Sequence, residues 1–245
     1  MDAILLAAGY GTRLRPLTDR LPKALVPVGG VPMLERVARR LLAAGAERIV
    51  VTASHLADQV EDYVARTPWA ARAVVSVEPG APLETGGGIR RAAAHLSPAA
   101  PFVVHNADLL TTVDIADLLA RQTASDALAT LAVAPATTDR TLLVDDGGLV
   151  GFVARGERRT VRAVRGDLRE VDFCGVHACS PALVAALAAE PRAVFSVMDV
   201  YLREAARGAR VDVFDGGAAP HRFLDVGTPE RLAEADAAVA AGRFA

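Results

Sequence analysis

Short runs of Val, Ile, Leu and Ala alternate along this chain with longer segments whose apolar residues recur every three or four positions. Residues 3–7 form an unbroken apolar run, the pattern of a strand buried on both faces. The segment 9–32, rich in Gly, Pro and basic residues, reads as a long functional loop. Pro32 then opens a helix to about residue 44, with Gly45 past its end. Val37, Leu41 and Leu42, with Met33 or Leu34, supply its buried stripe, and Arg36, Arg39 and Arg40 its wet face. The cycle repeats: strand 48–52, helix 56–66, strand 73–77, a glycine-rich turn at 84–88, helix 89–96, strand 102–105, helix 114–122 and strand 127–134. The helix at 114 is capped by Thr112 or by Val113-Asp114.

Strand–helix alternation predicts an α/β fold: a Rossmann-like, doubly wound, mostly parallel sheet with helices on both faces. Such sheets carry ligands at the carboxyl ends of their strands, where the first glycine loop, the second glycine turn and Asp108 all fall. After Pro135 the texture changes. Strands at 142–144, 149–153 and 171–178, with an arginine-rich stretch at 155–169 between the last two, predict a small antiparallel addition that completes a cleft. Helices 181–189 and 198–207, strands near 210–214 and 222–225, and a helix capped by Thr228 with Pro229 at its first turn finish the pattern. Residues 1–245 are expected to form one domain, 1–135 its doubly wound part and 136–245 the part that carries the antiparallel addition.

Composition narrows the possibilities. A net charge of −2, with 27 basic and 29 acidic residues interspersed and few aromatics, argues against a nucleic-acid partner. No basic leader precedes the first apolar run, which is too short to cross a bilayer; a cytoplasmic chain with no membrane partner, monomer or homodimer, is expected. Cys174 and Cys179 point to opposite faces of one strand and read as buried thiols. His55, His95, His105, His177 and His221 form no ligand cluster and are assigned to the surface or to a supporting shell.

Lysine and asparagine are each used once, at Lys23 and Asn106, while 26 arginines carry the remaining basic charge. A compact ammonium is not interchangeable with a guanidinium where a point charge must meet a phosphate. Lys23 follows the loop Leu6-Ala7-Ala8-Gly9-Tyr10-Gly11-Thr12-Arg13. Gly9 and Gly11 leave backbone N–H groups free to approach phosphate oxygens, and Arg13 offers a fork to a pyrophosphate. The loop is neither a Walker A sequence nor a complete dinucleotide fingerprint. Asp108 and Asp225 both stand at strand ends, as turn or cap residues or as metal ligands.

The run from Leu6 to Pro27, with Pro22-Lys23-Ala24-Leu25-Val26-Pro27, resembles the signature of the sugar-1-phosphate nucleotidyltransferases. So do Leu83-Glu84-Thr85-Gly86-Gly87-Gly88-Ile89, Asn106-Ala107-Asp108, Phe173-Cys174-Gly175-Val176-His177 and Phe223-Leu224-Asp225-Val226-Gly227-Thr228-Pro229. The form Leu-Glu-Thr-Gly-Gly-Gly-Ile is most similar to N-acetylmuramate 1-phosphate uridylyltransferases, then to mannose-1-phosphate guanylyltransferases.

The resemblance implies Mg²⁺ on Asp108 and Asp225, with Arg13 and Lys23 as catalytic cations. It implies a nucleoside triphosphate, UTP or GTP, held by residues 6–9, Gly11, Thr12, Arg13, Lys23, Glu84, Thr85, Gly86 and Asn106. The sugar 1-phosphate falls to Asn106, Thr141 and Gly175. UTP with N-acetylmuramate 1-phosphate leads; GTP with mannose or heptose 1-phosphate is second. A non-catalytic nucleotide-sugar sensor on the same fold would be expected to lack one of these charges, and a glycosyltransferase to carry Asp-x-Asp. The lysine of a Glu-Lys-Pro segment found after the middle strands of many relatives is missing here, and Arg140-Thr141-Leu142 stands where relatives often place glycine.

Overall fold

The computed structural model describes residues 1–217 and 219–244. In chain order the strands and helices are β1 (Asp2–Leu6), β2 (Pro27–Val28), β3 (Val31–Pro32), α1 (Met33–Ala43), β4 (Arg48–Ala53), α2 (Ala57–Ala65), β5 (Ala73–Val77), α3 (Glu84–Ala92), β6 (Phe102–Asn106), β7 (Leu109–Thr111) and α4 (Ile115–Thr123). Then come β8 (Ala129–Pro135), β9 (Arg140–Asp145), β10 (Gly148–Ala154), β11 (Glu157–Thr160), β12 (Arg169–Cys179), α5 (Ala182–Ala188), α6 (Val197–Ala206), β13 (Val211–Phe214), β14 (Phe223–Asp225) and α7 (Pro229–Ala240).

Ten strands make one sheet in the order β11-β10-β9-β12-β6-β1-β4-β5, with β8 on β12 and β13 on β8. β6, β1, β4 and β5 are parallel neighbours. The antiparallel strands continue the same sheet: β12 runs against β6, β8 and β9, and β9 against β10. β1 alternates between two cores. Ala3 and Leu5 face one formed with α1, α2 and α4; Ile4 faces another formed with α3, α5 and α6. Burial on both faces explains the unbroken apolar runs. Among the described residues no helix is long and apolar enough to cross a membrane.

Three local expectations are corrected, and one left open is resolved. α3 begins at Glu84, so the glycine triplet lies inside the helix rather than in a turn before it. A Cβ on Gly86 would overlap the Phe195 ring, and one on Gly87 would come 2.6 Å from the Ala193 carbonyl. The triplet serves close approach, for which α3 gives up helix propensity. Arg40 is not on a wet face: it donates to the carbonyls of Thr111 (2.6 Å) and Val113 (2.7 Å), tying α1 to the segment after Asp108. The arginine-rich stretch contains strand β11, and Arg162 folds back 2.6 Å from Asp145. Asp114, not Thr112, caps α4, accepting from the Asp117 N–H at 3.0 Å.

β7 was hidden in sequence as a short flank of Asp108, whereas β14 falls within the strand expected near 222–225. They pair antiparallel, Asp225 opposite Leu109, and the Val226 N–H donates to the Asp108 carbonyl at 2.8 Å. Both cysteines are buried free thiols, raised to about 12 by burial.

Candidate active site

The first glycine loop leaves β1 and is pinned at both sides. The Ala7 N–H donates to Thr52 Oγ1 of β4 (3.0 Å), and the Ala107 N–H to the Leu6 carbonyl (2.9 Å). Gly11 turns with φ +63, a conformation that disfavours a side chain, and a Cβ there would press on Lys23 and Thr18, each 3.0 Å away. The Thr18 hydroxyl donates to the Gly11 carbonyl at 2.8 Å. The loop therefore folds against the segment that carries Lys23, while Gly9 faces open space.

These elements border a cavity of about 310 Å³ lined by Leu6, Ala7, Ala8, Gly9, Gly11, Thr12, Arg13, Lys23, Glu84, Thr85, Asn106 and Asp108, together with Ala24, Thr52, Glu78, Pro82, Ala107 and Gly227. The Lys23 ammonium donates to the Asp108 carboxylate within it. Arg13 stands 3.8 Å from Asp225, and a Cβ on Gly227 would come 2.5 Å from both groups. Asp225 thus reaches the hollow through Arg13 and through its pairing beside Asp108. Two cations of one loop and two carboxylates from distant strand ends thus lie near one another.

A second cavity of about 470 Å³ adjoins the first, sharing Leu6, Thr85 and Asn106. Its remaining lining includes Thr138, Arg140, Thr141, Phe152, Asp172, Phe173, His177, Phe223 and residues 196–199. Asp172, buried, accepts from the Thr137 N–H and hydroxyl (2.8 Å each) and from the Thr138 hydroxyl (2.7 Å).

Three assigned residues lie off these surfaces: Asp225, which stands beside Arg13, and two glycines. Gly86 lies in the first turn of α3, packed against Phe195, its N–H donating to the Phe195 carbonyl at 2.9 Å. Gly175, at φ +65, lies behind Asn106; a Cβ there would come 2.9 Å from the Asn106 amide nitrogen and overlap Leu109. The space Gly175 leaves is filled by protein.

Glu78 and Asp172 escaped the sequence reading, although each shows a signal. Glu78 is a carboxylate immediately after a buried strand, and Asp172 interrupts the apolar run Val171-Asp172-Phe173. Burial raises the Glu78 pKa, partly offset by the Leu83 N–H at 2.6 Å and by Arg91. That bond helps set the start of α3, where Glu84 takes a left-handed φ of +58, a strained conformation for a residue with a side chain. The histidines are redistributed too. His105 and His177 belong to the core, and burial lowers them to about 4 and about 3, so both are neutral near pH 7. His177 meets the Tyr201 hydroxyl at 2.6 Å and forms part of the second cavity.

A buried strand end, a glycine loop with facing cations and two flanking carboxylates define a site for phosphate-rich ligands. Comparison with known proteins specifies it further. Residues 2–141 match the model of the family described as Nucleotidyl transferase. An N-acetylmuramate alpha-1-phosphate uridylyltransferase of Caulobacter vibrioides is 35% identical over 249 residues, covering 97% of this chain and 96% of that protein. A mannose-1-phosphate guanylyltransferase of Mycobacterium tuberculosis is 36% identical over 119 residues, 49% of this chain and 33% of that one. Among solved structures, a putative glucose-1-phosphate thymidylyltransferase from Bacillus anthracis superposes with a TM-score of 0.79 at 18% identity, covering 97% of this chain and 94% of that one, and so shares the fold. The chain belongs to the nucleotidyl transferase family, as one of its sugar-1-phosphate nucleotidyltransferases. It is therefore a nucleotidyltransferase enzyme, whose substrates are a nucleoside triphosphate and a sugar 1-phosphate.

Proposed function

We propose that this enzyme transfers a uridylyl group from UTP to N-acetylmuramate 1-phosphate, in the presence of Mg²⁺. The observation that carries the reading is the joined pair of cavities: one holds Lys23 against Asp108 beside the glycine loop, and the other opens from it across Leu6, Thr85 and Asn106. The near full-length similarity to a uridylyltransferase for that sugar phosphate supports the choice of both substrates.

In the reaction, an oxygen of the sugar phosphate attacks the α-phosphorus in line. A new P–O bond forms, the α–β bridging bond breaks, and pyrophosphate leaves with the electron pair. The nucleophile is already an anion, so no general base is needed, and the barrier falls through positioning and charge neutralisation. Backbone N–H groups of the glycine loop hold the triphosphate. Lys23 turns from Asp108 to the transferring phosphoryl, and Arg13 steadies the leaving pyrophosphate. Asn106, on the shared wall, orients one substrate against the other.

Among the described residues no group of three or more His, Cys, Asp and Glu side chains could hold a metal ion. Mg²⁺ does not require one, because it is commonly held by one or two carboxylates with substrate phosphates and water completing the shell. Asp108 and Asp225 are hard oxygen donors of that kind, and the bound ion would supply Lewis-acid charge to the phosphate oxygens.

A grid of nucleoside triphosphates against sugar 1-phosphates, followed by pyrophosphate release with Mg²⁺ and with chelator, tests the reading. Turnover is expected with UTP and N-acetylmuramate 1-phosphate and lost with chelator. Preference for GTP with mannose 1-phosphate would replace this substrate pair with the guanylyl alternative.

A further inference from the structure

The charges of the second cavity are unequally satisfied. Asp172 is buried and spends its carboxylate on Thr137 and Thr138. Asp199 stands 3.1 Å from the Arg192 guanidinium. The nearby Glu170 is held by Arg158 and by the Thr141 hydroxyl. Arg140 differs: its hydrogen bonds are made by its backbone to Thr138 Oγ1, and among the described residues its guanidinium has no carboxylate partner. The cavity is therefore lined by one arginine with no ion-pair partner among the described residues, on a backbone fixed by the chain Asp172–Thr138–Arg140.

Its place in the sheet separates that charge from the reacting phosphates. Arg140 begins β9 and Asn106 ends β6, and the two strands pair with different stretches of one edge of β12, β9 with residues 169–171 and β6 with residues 176–179. Asn106 lines both cavities and Arg140 only the second, so Arg140 stands away from the Lys23–Asp108 cluster of the first. A ligand whose 1-phosphate lies by Asn106 and Asp108 would turn its far side to Arg140.

We infer that Arg140 determines sugar specificity by pairing with a carboxylate carried on the sugar ring, so that the enzyme selects acidic over neutral sugar 1-phosphates. This rests on the transferase reading above and adds the residue that enforces it. A guanidinium suits the task because it meets a carboxylate through two parallel hydrogen bonds.

The test compares N-acetylmuramate 1-phosphate, which bears a lactyl carboxylate, with neutral N-acetylglucosamine 1-phosphate, using the triphosphate that gives turnover. Wild type should favour the acidic substrate. Arg140→Gln should lower kcat/KM for it about 10- to 100-fold while changing the neutral one less than about threefold, and Arg140→Lys should fall between. Equal loss on both substrates would overturn the inference, since Arg140 would then serve a phosphate common to both. So would an unselective wild type, or an Arg140→Gln variant that still prefers the acidic sugar; either leaves the transferase reading intact. No pyrophosphate from wild type with any sugar 1-phosphate would instead defeat that underlying reading, and this inference with it. Turnover of the neutral substrate by Arg140→Gln shows that the variant is folded.

Discussion

The two cavities are built by contrasting means. The first is a backbone device: glycine turns, strand ends and a 3.0 Å tie from Ala7 to Thr52 place N–H groups and two cations where negative charge must gather. The second is a side-chain device on the antiparallel strands, lined by Phe152, Phe173, Met198 and a few polar groups. A backbone cradle suits the triphosphate, which every nucleotide donor shares. Side chains can be exchanged without disturbing the sheet, and that suits the acceptor, where one transferase must differ from another.

The comparison can be broken most decisively at the charge cluster. Lys23→Ala and Asp108→Ala should each lower kcat about 10²- to 10³-fold, whichever sugar is offered, with stability changed by only about 1 kcal/mol. Pyrophosphate release and urea unfolding check the two halves of that statement, and full turnover in either variant would remove the proposed mechanism.

Gly86→Val probes the wall beneath the first cavity. Its side chain has no room beside Phe195, so a loss of about 1–3 kcal/mol is expected in urea, with a raised KM for the triphosphate as the start of α3 shifts. Retained stability would show that the helix can step aside.

Acid should expose the buried imidazoles behind both cavities. The unfolded chain takes up these protons near pH 6.5, but His105 resists to about 4 and His177 to about 3 because burial disfavours the charged ring. More protons are then bound in the unfolded state, so stability is full above pH 6.5 and falls as pH drops from there toward 3. A loss of a few kcal/mol, in order of magnitude, is expected between pH 7.5 and 5. Urea midpoints at the two values measure it, and His105→Leu should flatten the dependence.

The mildest change sharpens the contrast. Asp172→Ala frees the Thr137–Thr138 corner and should raise KM for the sugar phosphate about tenfold while leaving KM for the triphosphate unchanged. A shift in both constants would mean that the cavities are mechanically coupled.

The sequence is most legible where backbone rules dominate. The central strands, the glycine loop and the strand-end carboxylates follow from apolar runs and punctuation, and the structure gathers Lys23, Asp108 and Arg13 around one hollow, with Asp225 beside Arg13 but off its lining. It is least legible where a residue answers to a distant partner. Gly86 is set by Phe195, and Arg40 by the carbonyls of Thr111 and Val113. The sugar-side lining, assembled from β6, β9, β10, β12 and α6, offers no compact motif to read. Gly175 was assigned to the sugar from its strand position, whereas its side-chain space is taken by Leu109 and Asn106.

The short ribbon of β7 with β14 ties a late stretch of the chain to an early one beside the charge cluster. The acidic neighbours 108 and 225 meet only when residues 223–225 have zipped onto 109–111. A ribosome that stalls before that point yields a product already carrying the glycine loop and the lone lysine, but with a half-built anion trap. Such a product would lack both the β14 half of the ribbon and the carboxylate beside Arg13.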